Sequence, residues 1–342
     1  MQVVIADDSV PFDGTTPRNL PLGGPEKAIC GLAEALARRG NDVVVLNRAA
    51  APLDFAGVAW RPLGDQAPAR FDMLTVGRRP SLLDLVPEAA HRLLWLAGSA
   101  LYLKEPAHAA PIERHANARL VFFGETHRGS WHGDPARVAI IAPGVAKPYL
   151  EADAMTPYHP PRAVVTTHPR MDLDWLIRLW VERVAPRVAD AELMVYSGAL
   201  AAAAAGADIA DDLTPIFRQA IGAHEAGVRL ARPLADPDMA EAYRAARVHL
   251  YPGHAKEVYA ATLAESQATG LPAVGRKRGA VPERVRDGRT GYLVPDDEAF
   301  ANCATLILND DSVFSTRSRD CRTLQRGRAW DDAAGEFEAL AA

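Results

Sequence analysis

The chain is poor in cysteine and lysine, and it has no long apolar run. Its three cysteines, Cys30, Cys303 and Cys321, are scattered, with no Cys-x-x-Cys pair. That spacing supports neither a zinc site nor a disulfide framework, and reduced thiols fit a cytosolic setting. No apolar stretch approaches the ~20 residues that a membrane-spanning helix needs. The N-terminus opens straight into an apolar strand, MQVVIADD, with no basic segment ahead of an apolar one. The expected location is cytoplasmic, with peripheral contact at the inner face of a membrane left open.

Lysine occurs only at positions 27, 104, 147, 256 and 277, so arginine carries most of the basic charge, and the net charge is −5. A balance of this sign gives no argument for a nucleic-acid partner. Two phosphate-binding signatures are also missing: the sequence contains neither G-x-G-x-x-G nor G-x-x-x-x-G-K-[ST]. Binding of the dinucleotide or P-loop kind therefore has no support, although a nucleotide can still sit at the carboxyl edge of an open sheet.

Apolar strands alternate with helices along the whole chain. Strands are expected at 3–6, 43–46, 73–76, 93–96, 120–123 and 138–141. A second series follows at 163–166, 193–196, 228–231, 248–251 and 273–275. Near-continuous apolar strands of this kind imply parallel sheets covered on both faces. The pattern lapses into Pro, Gly and polar residues at 143–161, which reads as a linker. The expected fold class is α/β, with one domain over 1–158, a second over 159–316 and a closing helical segment over 317–342.

The richest stretch runs from Lys256, KEVYAATLAESQATGLPAVGRKRGAVPERVRDGRTGYLVP. Glu257 and Glu265 lie eight positions apart in it. Read as one helix, the pair spans roughly 12 Å of rise. Free N–H groups at a helix mouth can hold a diphosphate. Taken alone, the same pair reads rather as two solvated carboxylates on an ordinary helix, and it is the Gly-bearing turns around it that favour a site. Gly23-Gly24-Pro25-Glu26 lets backbone approach a ligand closely, or is simply a loop tip. Arg276-Lys277-Arg278 either faces a phosphate or is a solvated charge run. Asp172-x-Asp174 and Asp236-x-Asp238 have metal-ligand spacing, but each stands where a helix begins, and capping is the favoured reading. Among the histidines, His127 shares a loop with Glu125 and Arg128 and is the one singled out for chemistry.

Together these segments resemble the retaining GT-B glycosyltransferases of family 4, the group 1 transferases. GGPEKAICGLAEALARRGNDVVVL resembles that family's opening loop, helix and strand. RLVFFGETHRGSW and VAIIAPGVAKPYL resemble the close of its first domain. AELMVYSG and GVRLARPLADPDMAEAYRAARVHLYPG resemble its nucleotide-base region, and the Glu257–Glu265 block resembles its E-x7-E segment.

The resemblance implies two Rossmann-like, doubly wound domains facing a central cleft. It implies a metal-independent, retaining transfer from a nucleoside-diphosphate sugar, UDP- or GDP-linked, with no other cofactor. The acceptor is a hydroxyl on a glycan, a lipid-linked species or a small molecule. By the same resemblance Glu265 binds the ribose hydroxyls and Glu257 lies beside the donor sugar; His127, singled out from its loop neighbours, is the other catalytic candidate. Tyr259, Ala260 and Ala261 cradle the distal phosphate, with Gly23 and Gly24 opposite. Pro233 and Leu234 flank the base, and Arg170 with Lys256 offsets the diphosphate charge. Three positions depart from the family pattern. The segment THPRMDLDW lacks the usual Lys, Ala97 stands where many relatives have His, and Ala260 stands where Gly is common. The alternatives are a catalytically silent sugar-nucleotide-binding subunit and a sugar-nucleotide epimerase.

Overall fold

The computed structural model describes residues 1–64 and 70–342. The chain divides into two compact units, Met1–Ala146 with Arg328–Ala342, and Lys147–Gly327.

The first unit is built on eight strands: β1 (Gln2–Ala6), β2 (Asp42–Asn47), β3 (Leu53–Phe55), β4 (Val58–Pro62), β5 (Arg70–Gly77), β6 (Glu88–Trp95), β7 (Arg119–Phe122) and β8 (Val138–Ile140). Their order in the sheet is β3-β4-β2-β1-β5-β6-β7-β8. All pair in parallel except β3, which runs antiparallel to β4. The β3–β4 hairpin is not among the strands expected from sequence. Its two-residue turn, Ala56-Gly57, has φ of 51° and 79°. That is the backbone of a primed hairpin turn, normally marked by Asn-Gly or Asp-Gly, and Ala-Gly gives no such signal.

The helix Trp330–Ala339 returns to this unit. The Trp330 ring lies over Gly31, where a Cβ would come within 2.3 Å of it, and the Trp330 backbone lies over Gly144, where a Cβ would come within 2.4 Å. Trp95 stacks edge-on against Trp330 at 6.3 Å and Phe337 at 5.0 Å. Arg39 pairs with Glu338 at 2.7 Å at the rim. Two side-chain-free positions thus make the notch that receives the last helix.

The second unit holds six parallel strands: β9 (Arg162–Val165), β10 (Glu192–Tyr196), β11 (Val228–Ala231), β12 (Val248–Tyr251), β13 (Ala273–Arg276) and β14 (Gly291–Val294). Their order is β11-β10-β9-β12-β13-β14. The order reverses between β9 and β12, and the carboxyl edge at such a switch point is where open α/β sheets take ligands.

The units meet in sequence at Ala146/Lys147, inside the 143–161 stretch read as a linker but before the boundary expected at 158/159. The reason lies in Tyr149, fully buried and donating to Asp236 at 2.7 Å. That contact holds the segment from Lys147 onward to the second unit. The helix Asp311–Gln325 also belongs there, with Cys321 buried. No helix among the described residues is long and apolar enough to cross a membrane.

Candidate functional site

The loop after β12 holds Glu257 and Tyr259, and residues 276–284 strap it down. Arg276 donates to the carbonyls of Pro252 and, at 3.1 Å, Gly253. Ala280 N–H donates to the Glu257 carbonyl at 2.9 Å. Arg284 donates to the Tyr259 carbonyl at 2.8 Å and lies over the Tyr259 ring at 4.3 Å. Gly279 has φ of 53°, and a Cβ there would come within 2.3 Å of the His254 carbonyl and 2.5 Å of the Glu257 carbonyl. Only glycine fits so close an approach. Ala260 is itself left-handed, φ 55°, and precedes the helix Ala261–Thr269. That helix stops at Gly270, φ 109°, and Leu271-Pro272 then leads into β13.

The helix therefore begins at Ala261. Residues 257–260 form a turn, and the 12 Å of helical rise expected between the two carboxylates does not apply. Only four residues of rise, about 6 Å, separate Ala261 from Glu265. Glu257 folds back over its own turn. Its Oε1 accepts from Ala260 N–H at 3.0 Å, and its Oε2 accepts from the Tyr251 hydroxyl at 2.8 Å. Burial and the Glu257 charge together push the Tyr251 phenol well above its ordinary value, so it stays a donor.

Glu265 is buried, at 9% exposure. It is not a solvated carboxylate on a helix surface. Tyr149 and Tyr243 are its electrostatic neighbours. Burial, and then the Glu265 charge, hold both phenols well above their ordinary range. Beneath the helix a hydrogen-bonded chain crosses to β9. Ser266 Oγ meets His249 Nδ1 at 2.8 Å, His249 Nε2 meets Thr166 Oγ1 at 3.1 Å, and Thr166 Oγ1 donates to Thr262 Oγ1 at 2.7 Å. Complete burial drives the His249 imidazole down to about 3, so it is neutral.

The first unit carries a different cluster at the carboxyl ends of β1 and β5. Arg78 binds Asp7 at 3.0 Å and Glu26 at 2.6 Å, and both acids are buried. Two glycines make room for them. A Cβ on Gly77 would lie 2.6 Å from Asp7 Oδ2, and one on Gly23 would lie 2.3 Å from Glu26 Oε2. Burial works against the Arg78 charge, yet Asp7 and Glu26 keep its guanidinium above the usual value.

Residues 163–310 match the family described as Glycosyl transferases group 1. Those residues, all within the second unit, are similar to a group 1 glycosyltransferase domain. The D-inositol 3-phosphate glycosyltransferase of Streptomyces griseus subsp. griseus is 26% identical over 228 residues, which is 60% of this chain and 48% of the relative. The chain thus spans about half the length of that curated relative. Among solved structures, sucrose-phosphate synthase from Thermosynechococcus elongatus matches with a TM-score of 0.72 at 16% identity, covering 98% of each chain. HepE of Anabaena, solved in complex with UDP-glucose, matches with a TM-score of 0.67 at 14% identity, covering 99% of each. The fold of the two units is GT-B.

Within the matched residues the structure gathers Glu257, Tyr259, Ala260, Ala261 and Glu265 on one turn and one helix at the carboxyl edge of the sheet. Pro233 and Leu234 lie on the loop after β11, with Leu234 exposed. Lys256 is exposed beside the Glu257 turn. Arg170 is also exposed, but Asp212 holds its guanidinium by two bonds, at 2.5 and 3.0 Å.

The basic run does not behave as a unit. Arg276 is buried on Asp172 and on the Trp175 ring at 3.9 Å, and Arg278 bonds Asp172 at 3.0 Å. Lys277, the third of the run, is exposed. Asp172 stands at the start of a helix yet makes no side-chain cap bond, and Asp236 serves Tyr149 instead of a cap.

Gly23, Gly24 and His127 belong to the first unit. Gly23 has a local reason to be glycine, namely the Glu26 carboxylate. His127 corrects the expectation of a catalytic role. It is fully buried, its Nδ1 accepts from Phe123 N–H at 3.1 Å, and its Nε2 meets the Gly98 carbonyl at 2.7 Å. Both ring nitrogens are committed to backbone, which suits a histidine that anchors the loop after β6. Tyr149, Tyr243 and Tyr251 escaped the sequence reading. Each looks like an ordinary apolar position in its segment, and only the fold brings it to a carboxylate.

Proposed function

We propose that this chain is a retaining, metal-independent glycosyltransferase that takes a nucleoside-diphosphate sugar as donor and a hydroxyl as acceptor, in glycan, polysaccharide or glycoconjugate biosynthesis. The observation that carries the reading is the pair Glu257 and Glu265 on the turn and helix at the switch point of the second sheet. A buried carboxylate accepts two vicinal hydroxyls well, which suits Glu265 to a ribose. Backbone N–H groups at the mouth of the same helix suit a leaving diphosphate, because the helix dipole favours negative charge there. Glu257 lies at that mouth, where the transferred sugar joins the diphosphate. The complex of HepE with UDP-glucose supports a sugar nucleotide as ligand of this fold.

Purified protein with UDP- and GDP-sugars and candidate acceptors tests the reading. Glu265→Ala raises the donor KM roughly tenfold or more, from loss of hydrogen bonds to a charged group. Glu257→Ala mainly lowers kcat. Unchanged kinetics in both variants reject the assignment.

A second reading has one observation in its favour. Arg170, Arg276 and Arg278 are paired with Asp212 or Asp172, so fewer cations are spare for a diphosphate. A silent sugar-nucleotide-binding subunit needs fewer. It predicts donor binding without transfer or slow donor hydrolysis.

A further inference from the structure

The Glu257 carboxylate sits on the same N–H groups that the donor reading assigns to the distal phosphate. Its Oε1 accepts from Ala260 N–H at 3.0 Å and, more loosely, from Tyr259 N–H at 3.4 Å. The chain therefore supplies an anion of its own to the helix mouth. The backbone below it is fixed by Ala280 N–H on the Glu257 carbonyl, Arg284 on the Tyr259 carbonyl and the close approach of Gly279. The side chain alone is left to move, and the Tyr251 hydroxyl grips its other oxygen at 2.8 Å.

We propose that Glu257 is the internal occupant of the phosphate cradle and that the donor's diphosphate displaces it from Ala260. One N–H cannot serve two anions, and like charges this close oppose each other. On displacement the carboxylate pivots about Tyr251 and becomes available to the sugar attached to the incoming diphosphate. Donor binding and delivery of Glu257 are then a single event, and Glu257 lowers affinity for a diphosphate that carries no sugar. This inference rests on the donor reading.

Calorimetric titration of the full chain and of Glu257→Gln with UDP, GDP and inorganic pyrophosphate separates the two. Glutamine keeps the shape and removes the charge. The expected result is about tenfold tighter binding of pyrophosphate, and of the nucleoside diphosphate that the parent chain accepts, by the variant. Binding by the variant alone supports the inference equally. Parent binding with equal or weaker binding by a folded variant overturns it and leaves the donor reading standing. No binding by either protein overturns both. Should Glu257→Gln fail to fold, a crystal structure of the parent chain with its nucleoside diphosphate decides. Glu257 Oε1 is expected beyond hydrogen-bond reach of Ala260 N–H. A phosphate bound while that contact persists overturns the inference.

Discussion

At the scale of the residue, three groups in the second unit carry most of the argument. Glu265 and Glu257 could be singled out in sequence because their spacing is a local property. Their partners could not, since Tyr149, Tyr243 and Tyr251 come from other segments and only folding brings them near. His249 was silent for the same reason, and its setting has a measurable consequence. Burial depresses its pKa from the ordinary 6.5 to about 3. Between those values the unfolded chain binds a proton that the folded chain refuses, so stability falls as pH falls through this window. The His249 contribution is about 1.4 kcal/mol per pH unit. Denaturant unfolding between pH 7 and pH 4 should therefore show a shallower loss of stability in His249→Gln than in the parent chain. Equal slopes would place the acid sensitivity elsewhere. His127 shows the opposite limit of sequence reading, because its loop neighbours looked chemical while its ring nitrogens belong to the Phe123 and Gly98 backbone.

At the scale of the element, the decisive structures are a strap and a notch. Of the strap, residues 276–284, the sequence singled out Arg276-Lys277-Arg278, read as either phosphate-facing or a solvated charge run. The fold turns Arg276 and Arg284 onto backbone carbonyls instead. Gly279→Ala should push the Glu257 turn out of place and weaken nucleoside-diphosphate binding about tenfold or more, given strain of roughly 1–3 kcal/mol at a left-handed alanine with backbone contacts. Gly222→Ala is the control, because nothing lies within 4 Å of a Cβ there. Titration calorimetry on both variants checks the contrast. The notch at Gly31 and Gly144 seats the helix Trp330–Ala339. Gly31→Val should cost about 1–3 kcal/mol by overpacking against Trp330. A lower Tm and faster proteolytic loss of the C-terminal helix are the expected signs. The strands of the sheets were mostly readable from their apolar runs. The β3–β4 hairpin was lost because Ala56 adopts a backbone that alanine does not advertise.

At the scale of the whole molecule, alternation of strands and helices was enough to give two parallel α/β units. The exact divide was not, because it depends on Tyr149 reaching Asp236 across 87 positions of sequence. Likeness to solved GT-B structures covers nearly the full chain, while the family match covers the second unit. The proposed donor site lies in that unit, on Glu265 above all. Titration of UDP and GDP into the parent chain and into Glu265→Gln tests this most directly. The account predicts saturable binding of at least one nucleotide by the parent chain and at least about tenfold weaker binding by the variant. Binding that is equal in the two proteins, or absent from both, would contradict it.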